Sequence, residues 1–192
     1  PQAIGLRDFT FYHLEFDMKY ALDNKQLKYA LDLAIKRHDA KDESFRNKDV
    51  KRFMNNSKSV MSEEFKVDKQ YMAHFLGVIG ELGYALATGQ EVDEEIYSVR
   101  DSGEDFEGVE VKTITYMGSG EPELKITTKE YQRRTPPKLY VLTRFNLRNN
   151  EVEVLGRITR ENFDLFKKRK QYRSNLPINF IVPLSKMEKL GE

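Results

Sequence analysis

Residues 103–113, Gly-Glu-Asp-Phe-Glu-Gly-Val-Glu-Val-Lys-Thr, place two carboxylates and one lysine around a short turn. If the Glu-Gly pair at 107–108 is the two-residue turn of a β-hairpin, Asp105 lies opposite Glu110 and their side chains share one face. Lys112 follows two residues after Glu110 and points to the same face, because side chains alternate along a strand. The intervening positions are apolar and are expected to point into the core; they are Phe106, Val109 and Val111.

The pair of carboxylates indicates a cation site. Adjacent carboxylates repel each other and resist joint ionisation unless a cation lies between them. Hard oxygen ligands suit Mg²⁺ or Mn²⁺, which can activate a water and stabilise charge on a phosphodiester, while a lysine can orient that water or neutralise the charge. The acid-x-lysine pattern alone is weak because it recurs along the chain. Its serious rival is Glu123 with Lys125, which borders a strand but lacks an acidic partner across a short turn.

The flanking segments predict the fold class. Helices are predicted at 19–37, 46–60, 62–88 and, as a short basic helix, 160–170. Strands are predicted at 96–100, 109–115, 124–127, 138–145, 151–158 and 179–184, with a helical turn capped by Thr128 after the third. This order predicts an α/β protein with a mixed central β-sheet flanked by helices, in which residues 1–60 are an N-terminal helical extension packed on a core at 61–192.

The helix before the strands contains an acid within an apolar stretch. Gly77, Gly80 and Gly83 fall close together there, although a glycine costs about 1 kcal/mol relative to alanine in a helix interior. They therefore predict close packing against the sheet. Glu81 lies among them, where an unpaired charge would be expensive. It is either a surface residue of an amphipathic helix or an acid that reaches the polar cluster of the strand.

The order of these motifs resembles the PD-(D/E)xK nuclease superfamily, the restriction-endonuclease-like proteins. A helix with Gly-Glu precedes an Asp and then Glu-x-Lys on strands, and a further helix and strands follow, over about residues 70–160. The resemblance implies an αβββαβ core. It also implies a metal-dependent endonuclease or exonuclease that hydrolyses DNA phosphodiester bonds and leaves 5′-phosphate ends.

The resemblance also assigns roles to individual residues. Asp105, Glu110 and Glu81 would be catalytic ligands of Mg²⁺ or Mn²⁺, and Lys112 would be the catalytic lysine. The chain departs from the motif in lacking its Pro, and the separation of the Asp from the Glu is short. Asp101 is therefore an alternative to Asp105.

Two basic clusters are candidates for DNA binding. They consist of Lys167, Lys168, Arg169 and Lys170, and of Arg133 and Arg134. The first cluster is followed by Tyr172, so it could bind phosphates and stack on a base, although a solvated helix face is an equal alternative.

The composition excludes several classes of protein. The absence of cysteine excludes a disulfide scaffold, a cysteine nucleophile and a thiolate zinc site, and three histidines are few for a zinc enzyme. The net charge is +1, but residues 61–115 hold 4 basic and 13 acidic residues, whereas residues 116–192 hold 16 basic and 9 acidic ones. An acidic centre flanked by basic surface suits a cation site that attracts phosphate, although chance bias would give the same pattern.

The expected partner is DNA and not a membrane, because no apolar run reaches membrane-spanning length and no signal peptide is visible. We therefore expect an intracellular or cytoplasmic protein. The preferred DNA structure stays open, and cleavage of both strands would favour a homodimer. Two alternatives remain: a catalytically inactive nucleic-acid-binding or interaction protein with the same fold, and a structural protein in which the polar cluster is a set of surface ion pairs.

Overall fold

The computed structural model describes residues 18–40, 67–68, 70–96, 104–115, 119–132, 135–172, 174 and 176–190. The strands in these ranges are β1 (Lys19–Ala21), β2 (Val109–Ile114), β3 (Glu123–Thr127), β4 (Leu139–Asn146), β5 (Glu151–Thr159), β6 (Lys168–Lys170) and β7 (Asn179–Pro183). The helices are α1 (Asn24–Asp39), α2 (Met72–Thr88), α3 (Thr128–Tyr131) and α4 (Arg160–Phe166), with a 3₁₀ turn at Leu184–Lys186. None of the helices in the described ranges is long and apolar enough to cross a membrane.

Four strands form a central mixed sheet in the order β1-β5-β4-β2. β5 runs antiparallel to both β1 and β4, whereas β2 runs parallel to β4. In that parallel pair Glu110 stands opposite Tyr140 and Lys112 opposite Leu142, so the four side chains share one face of the sheet. The predicted α/β fold, a mixed sheet with helices against it and a helix near the N-terminus, is confirmed.

A second sheet covers the face that carries Tyr140 and Leu142. It consists of β3, β7 and β6 in that order, and all its strands are antiparallel. Leu124, Ile126 and Val182 on its inner side pack with Tyr140 and Leu142 in one apolar cluster. The prediction of a single central sheet is therefore incomplete, because these three short strands form a layer of their own.

Helix α2 packs on the opposite face of the central sheet at very short range. A Cβ added at Gly80 would lie 1.9 Å from Oγ1 of Thr113, and one at Gly83 would lie 2.6 Å from Cγ2 of Val152. A Cβ at Gly77 would meet nothing within 4 Å. The predicted close packing is thus confirmed for two of the three glycines, and it brings the α2 backbone directly against β2 and β5.

The predicted helix at 19–37 is wrong at its start, because residues 19–21 form β1 and the helix begins at Asn24. Asp23 explains this boundary. Its carboxylate accepts a hydrogen bond from the Gln26 amide over 2.8 Å, and the Gln26 side chain accepts one from the Asp23 amide over 3.0 Å. This reciprocal cap fixes the first turn of α1, and Tyr20, before it, pairs with Val152 in the sheet.

The predicted helix from Ser62 is also wrong at its start, because Val67 and Asp68 are not helical and α2 begins at Met72. The Asp68 carboxylate accepts a hydrogen bond from the Gln70 amide over 3.3 Å, a local turn that competes with the helix. The end of α2 is as predicted, since Gly89 adopts φ +73°.

The basic segment near the C-terminus and the capped turn also need correction. Helix α4 ends at Phe166, and Lys168–Lys170 forms β6 instead of continuing the predicted helix. The cap of α3 is Thr127, whose hydroxyl accepts a hydrogen bond from the Glu130 amide over 3.2 Å, and not Thr128. The predicted helix at 46–60 and most of the predicted strand at 96–100 lie outside the described residues.

Candidate active site

The turn that precedes β2 is the predicted one. Phe106 and Val109 form an antiparallel bridge, and the Val109 amide donates a hydrogen bond to the Phe106 carbonyl over 2.9 Å. Gly108 sits in the turn with φ +72°, a conformation that side chains disfavour. Phe106, Val109 and Val111 are buried against Tyr84 of α2, as the alternation predicts. The hairpin therefore brings residues 104–106 beside the outer edge of β2.

Asp105 reaches this edge in a different way from the one predicted. Asp105 does not pair with Glu110 in a continued β-ladder. Instead, its carboxylate accepts a hydrogen bond from the Val111 amide over 2.7 Å. Burial raises the pKa of Asp105 to about 7, with Glu81 and Glu110 adding to the rise and Lys112 and the Val111 amide opposing it. Asp105 therefore lies within electrostatic reach of both acids, one from α2 and one from β2.

Glu110 and Lys112 form the centre of the cluster on β2. The Glu110 side chain is 6% exposed and pairs with the Lys112 ammonium group. Lys112 also donates a hydrogen bond to Glu130 of α3 over 3.1 Å. Burial alone would lower the pKa of Lys112, but Glu110 and Glu130 raise it above its ordinary value. The lysine consequently stays protonated at neutral pH and acts as a fixed charge and hydrogen-bond donor rather than as a base.

Glu81 approaches from α2 and is 3% exposed. Its Oε1 accepts a hydrogen bond from the Arg37 guanidinium over 2.7 Å, and that guanidinium also donates to the Asp93 carbonyl over 2.6 Å. The interpretation of Glu81 as a surface residue is therefore wrong, and the acid is a buried partner of α1. Its effect on the pKa of Asp105 places it near the cluster.

A cleft of about 570 Å³ opens beside Asp105. It is lined by Gln90, Glu91, Asp93 and residues 104–107. Five of these seven lining residues are acidic, so the cleft favours cations and disfavours a bare phosphate. A polyanion entering here would need a cation to offset that repulsion.

The donor set suits a hard cation with few protein ligands. Among the residues that the structure describes, no three histidine or acidic side chains are grouped closely enough to hold a metal ion. Asp105 and Glu110 nevertheless supply two carboxylates, and Asp105 is held partly neutral by burial and by neighbouring acids. Mg²⁺ is commonly bound by one or two carboxylates together with waters and substrate phosphate, so two carboxylates at this edge fit the expected ion.

The predicted DNA-binding residues separate into two groups. Lys167 donates to Asp164 over 2.7 Å and to the Tyr131 hydroxyl over 2.6 Å, so its charge is largely committed within the fold. Lys168, Arg169 and Lys170 lie on β6 of the second sheet. Arg133 and Arg134 lie outside the described residues, as does the alternative ligand Asp101.

Two residues of the cluster were not predicted from the sequence. Glu130 occupies the third position of α3 and caps it by accepting the Thr127 amide over 2.8 Å, and this capping pattern is visible in the sequence. Its contact with Lys112 depends on how the second sheet docks, which no local pattern reveals. Arg37 meets Glu81 from 44 positions away, so only the tertiary fold identifies the pair.

The comparisons with known proteins give no family to set beside this geometry. No family model, no curated protein and no solved structure matches the chain.

Proposed function

We propose that this chain is a metal-dependent nuclease that hydrolyses DNA phosphodiester bonds. The observation that carries the proposal is the convergence of Asp105, Glu110 and Lys112 at the outer edge of β2, beside an acidic cleft. Two buried carboxylates can hold a hard cation, and a protonated lysine can stabilise the charge that develops during phosphodiester hydrolysis. The proposal agrees with the resemblance of the motif order to the PD-(D/E)xK nucleases.

The residues of the cluster would have separate roles. Asp105 and Glu110 would hold Mg²⁺ or Mn²⁺, with Glu81 as a third acid near Asp105; the bound ion would supply Lewis acidity and an activated water. Lys112 donates hydrogen bonds and would turn them from the carboxylates to a phosphate oxygen or to the attacking water. Its raised pKa keeps it charged for that purpose. Glu130 would hold the lysine in place before substrate arrives.

The acidic cleft and the basic C-terminal third would act together on DNA. The cations on β6 would bind the backbone, while the cleft would hold the ion at the scissile phosphate. Double-strand cleavage would need two such sites, so a homodimer is part of the proposal for a duplex substrate. We also propose that the chain acts inside the cell.

The direct test is incubation of the purified chain with duplex, single-stranded and branched oligonucleotides in Mg²⁺, Mn²⁺ or EDTA. We expect cleavage of at least one substrate with either ion, 5′-phosphate products and no cleavage in EDTA. A Glu110→Gln variant, which keeps the shape of the side chain, controls for a contaminating nuclease. Cleavage that survives chelation contradicts the metal mechanism.

A second candidate function has its own supporting observation. Lys112 is engaged by both Glu110 and Glu130, which is also what a structural ion-pair cluster looks like. With such a structural cluster, the exposed cations of β6 would still allow the chain to bind nucleic acid, but it would not cut it. Binding of the oligonucleotides with no cleavage in either metal, and no effect of Mn²⁺ on the melting temperature, would favour this candidate.

A further inference from the structure

The outer face of the second sheet is basic. Lys125 on β3 and Lys168 on β6 both stand opposite Ile181 on β7, so the two lysines flank it on the same face. Lys170 stands opposite Asn179, two residues along, and belongs to that face as well. The inner face is apolar and lies against the central sheet. Charge on this sheet is therefore concentrated on its solvent side.

An exposed aromatic ring stands at the edge of this face. Tyr172 is 41% exposed, and its hydroxyl donates a hydrogen bond to Glu123 over 2.6 Å. The ammonium groups of Lys125 and Lys170 each lie 4.7 Å from the centre of the ring. The hydrogen bond holds the ring in place. The two ammonium groups lie over the ring, so a base that stacks there would displace them from the ring towards the phosphates of its own strand.

The described residues neutralise the charge of the face only in part. Lys170 binds both oxygens of Glu123, over 2.9 and 3.1 Å. Within the described part of the chain, Lys125 and Lys168 form no ion pair, and both are exposed. Three lysines thus face one glutamate, and this excess favours an anionic partner. Arg169, between the two lysines of β6, stands opposite Phe180 and therefore alternates to the other face of the sheet.

We propose that this face binds single-stranded nucleic acid, with phosphates on Lys125 and Lys168 and a base stacked on Tyr172. A line of lysines alone would accept any polyanion. An exposed, anchored aromatic ring beside them adds affinity only for a strand whose bases are unpaired and can stack. This proposal specifies that the substrate of the proposed nuclease is single-stranded. It rests on the proposed function only for the role of this surface in cleavage.

Binding can be measured apart from cleavage. The probe is a fluorescein-labelled twenty-nucleotide oligothymidine, titrated with the full chain in EDTA and followed by anisotropy. Tyr172→Ala should weaken binding about 10-fold, as expected for loss of one stacked base. A Lys125→Gln, Lys168→Gln double variant should reduce the slope of log affinity against log salt by about 1.4, since each contact on a single strand contributes about 0.7.

Matched controls separate stacking from other effects. Tyr172→Phe keeps the ring but loses the bond to Glu123 that holds it, so its affinity should lie between those of the native chain and Tyr172→Ala. Lys28→Gln removes an exposed lysine from α1 and should leave the salt slope unchanged. An abasic oligomer of equal length should bind the native chain and Tyr172→Ala equally, because it has no base to stack. Circular dichroism melts confirm that each variant is folded.

Two results would overturn the inference. One is unchanged oligothymidine affinity in Tyr172→Ala; the other is an unchanged salt slope in the double lysine variant. Tighter binding of a duplex than of the single strand would also contradict it. Because these titrations contain no metal, a chain that binds as expected but never cleaves would refute the proposed function and leave this surface standing.

Discussion

The Asp105 carboxylate accepts a hydrogen bond from the Val111 backbone amide over 2.7 Å. This bond ties the segment before the turn to the open edge of β2. It places the Asp105 carboxylate beside the part of β2 that carries the Glu110 and Lys112 side chains. Asp105→Asn would remove the charge and keep this bond, because the side-chain oxygen of asparagine can accept a hydrogen bond from the Val111 amide equally well.

Asp105→Asn should stabilise the metal-free protein above neutral pH. Burial, Glu81 and Glu110 raise the pKa of Asp105 from 3.8 to about 7. The folded state therefore binds the proton more tightly than the unfolded state, and this contribution to stability is lost as pH rises from about 4 through 7. We expect the melting temperatures of variant and native protein in EDTA to converge near pH 4 and to diverge towards pH 8, where the variant melts higher. A constant difference across this range would contradict the assigned environment. The variant should also lose cleavage.

Mn²⁺ should raise the melting temperature of the native chain. An ion that binds only the folded state stabilises it by about 2.7 kcal/mol at a free concentration of a hundred times its Kd. Asp105→Asn and Glu110→Gln should each abolish most of this rise. Glu121→Gln, at an exposed carboxylate that accepts the Ser185 amide, serves as the control and should keep it. An identical rise in all four proteins would place the ion elsewhere.

Glu130→Gln isolates the charge that holds Lys112. Burial acts to raise the pKa of Glu130, but Lys112 and Thr127 hold it at about 2. Since the folded-state pKa lies below the unfolded value, the stability it contributes is complete above about pH 4.5 and is lost as pH falls towards 2. Glutamine keeps the capping geometry of α3, so the variant should be less stable at pH 7 and equal to the native protein near pH 2. Urea unfolding at several pH values gives the comparison. A deficit that persists at low pH would mean that the cap, and not the ion pair, was lost.

Gly80→Ala should destabilise the fold by about 1–3 kcal/mol, as overpacking of a tight core does. The added Cβ would lie 1.9 Å from Thr113 Oγ1 and 2.7 Å from Thr143 Oγ1. Gly77→Ala, one turn earlier in the same helix, meets nothing within 4 Å and should be neutral or stabilising because alanine favours helix. Chemical denaturation of the pair gives the difference. Equal stabilities would show that α2 does not approach β2 as closely as described.

Local sequence patterns predicted the elements that local chemistry determines. The Glu-Gly turn, the alternation along β2 and the glycine that ends α2 all follow from short-range rules, and each is confirmed. The boundaries that failed did so for similarly local reasons that were overlooked. Asp23 caps α1 and separates it from β1, and Asp68 forms a turn before α2.

The candidate site was predicted only in part, because its contacts span the fold. The alternation correctly placed Glu110 and Lys112 on one face, but it could not reveal that Asp105 would turn to the Val111 amide. The docking of the second sheet, which brings Glu130 to Lys112, has no signature in the strands themselves. Nor could the sequence assign the partner of Glu81, since Arg37 reaches it from another helix.

The central claim is that Lys112 serves catalysis and is more than a neutraliser of Glu110 and Glu130. The most direct measurement is single-turnover cleavage by Lys112→Ala in Mg²⁺, with the DNA affinity and melting temperature of the same variant. Lys129→Ala, which removes an exposed lysine next to Glu130, is the matched control and should cleave at the native rate. We expect Lys112→Ala to melt at a lower temperature because Glu110 and Glu130 lose their partner, yet to stay folded, bind DNA and cleave on the order of 100-fold more slowly. A variant that melts early yet cleaves at the native rate per folded molecule would contradict the claim.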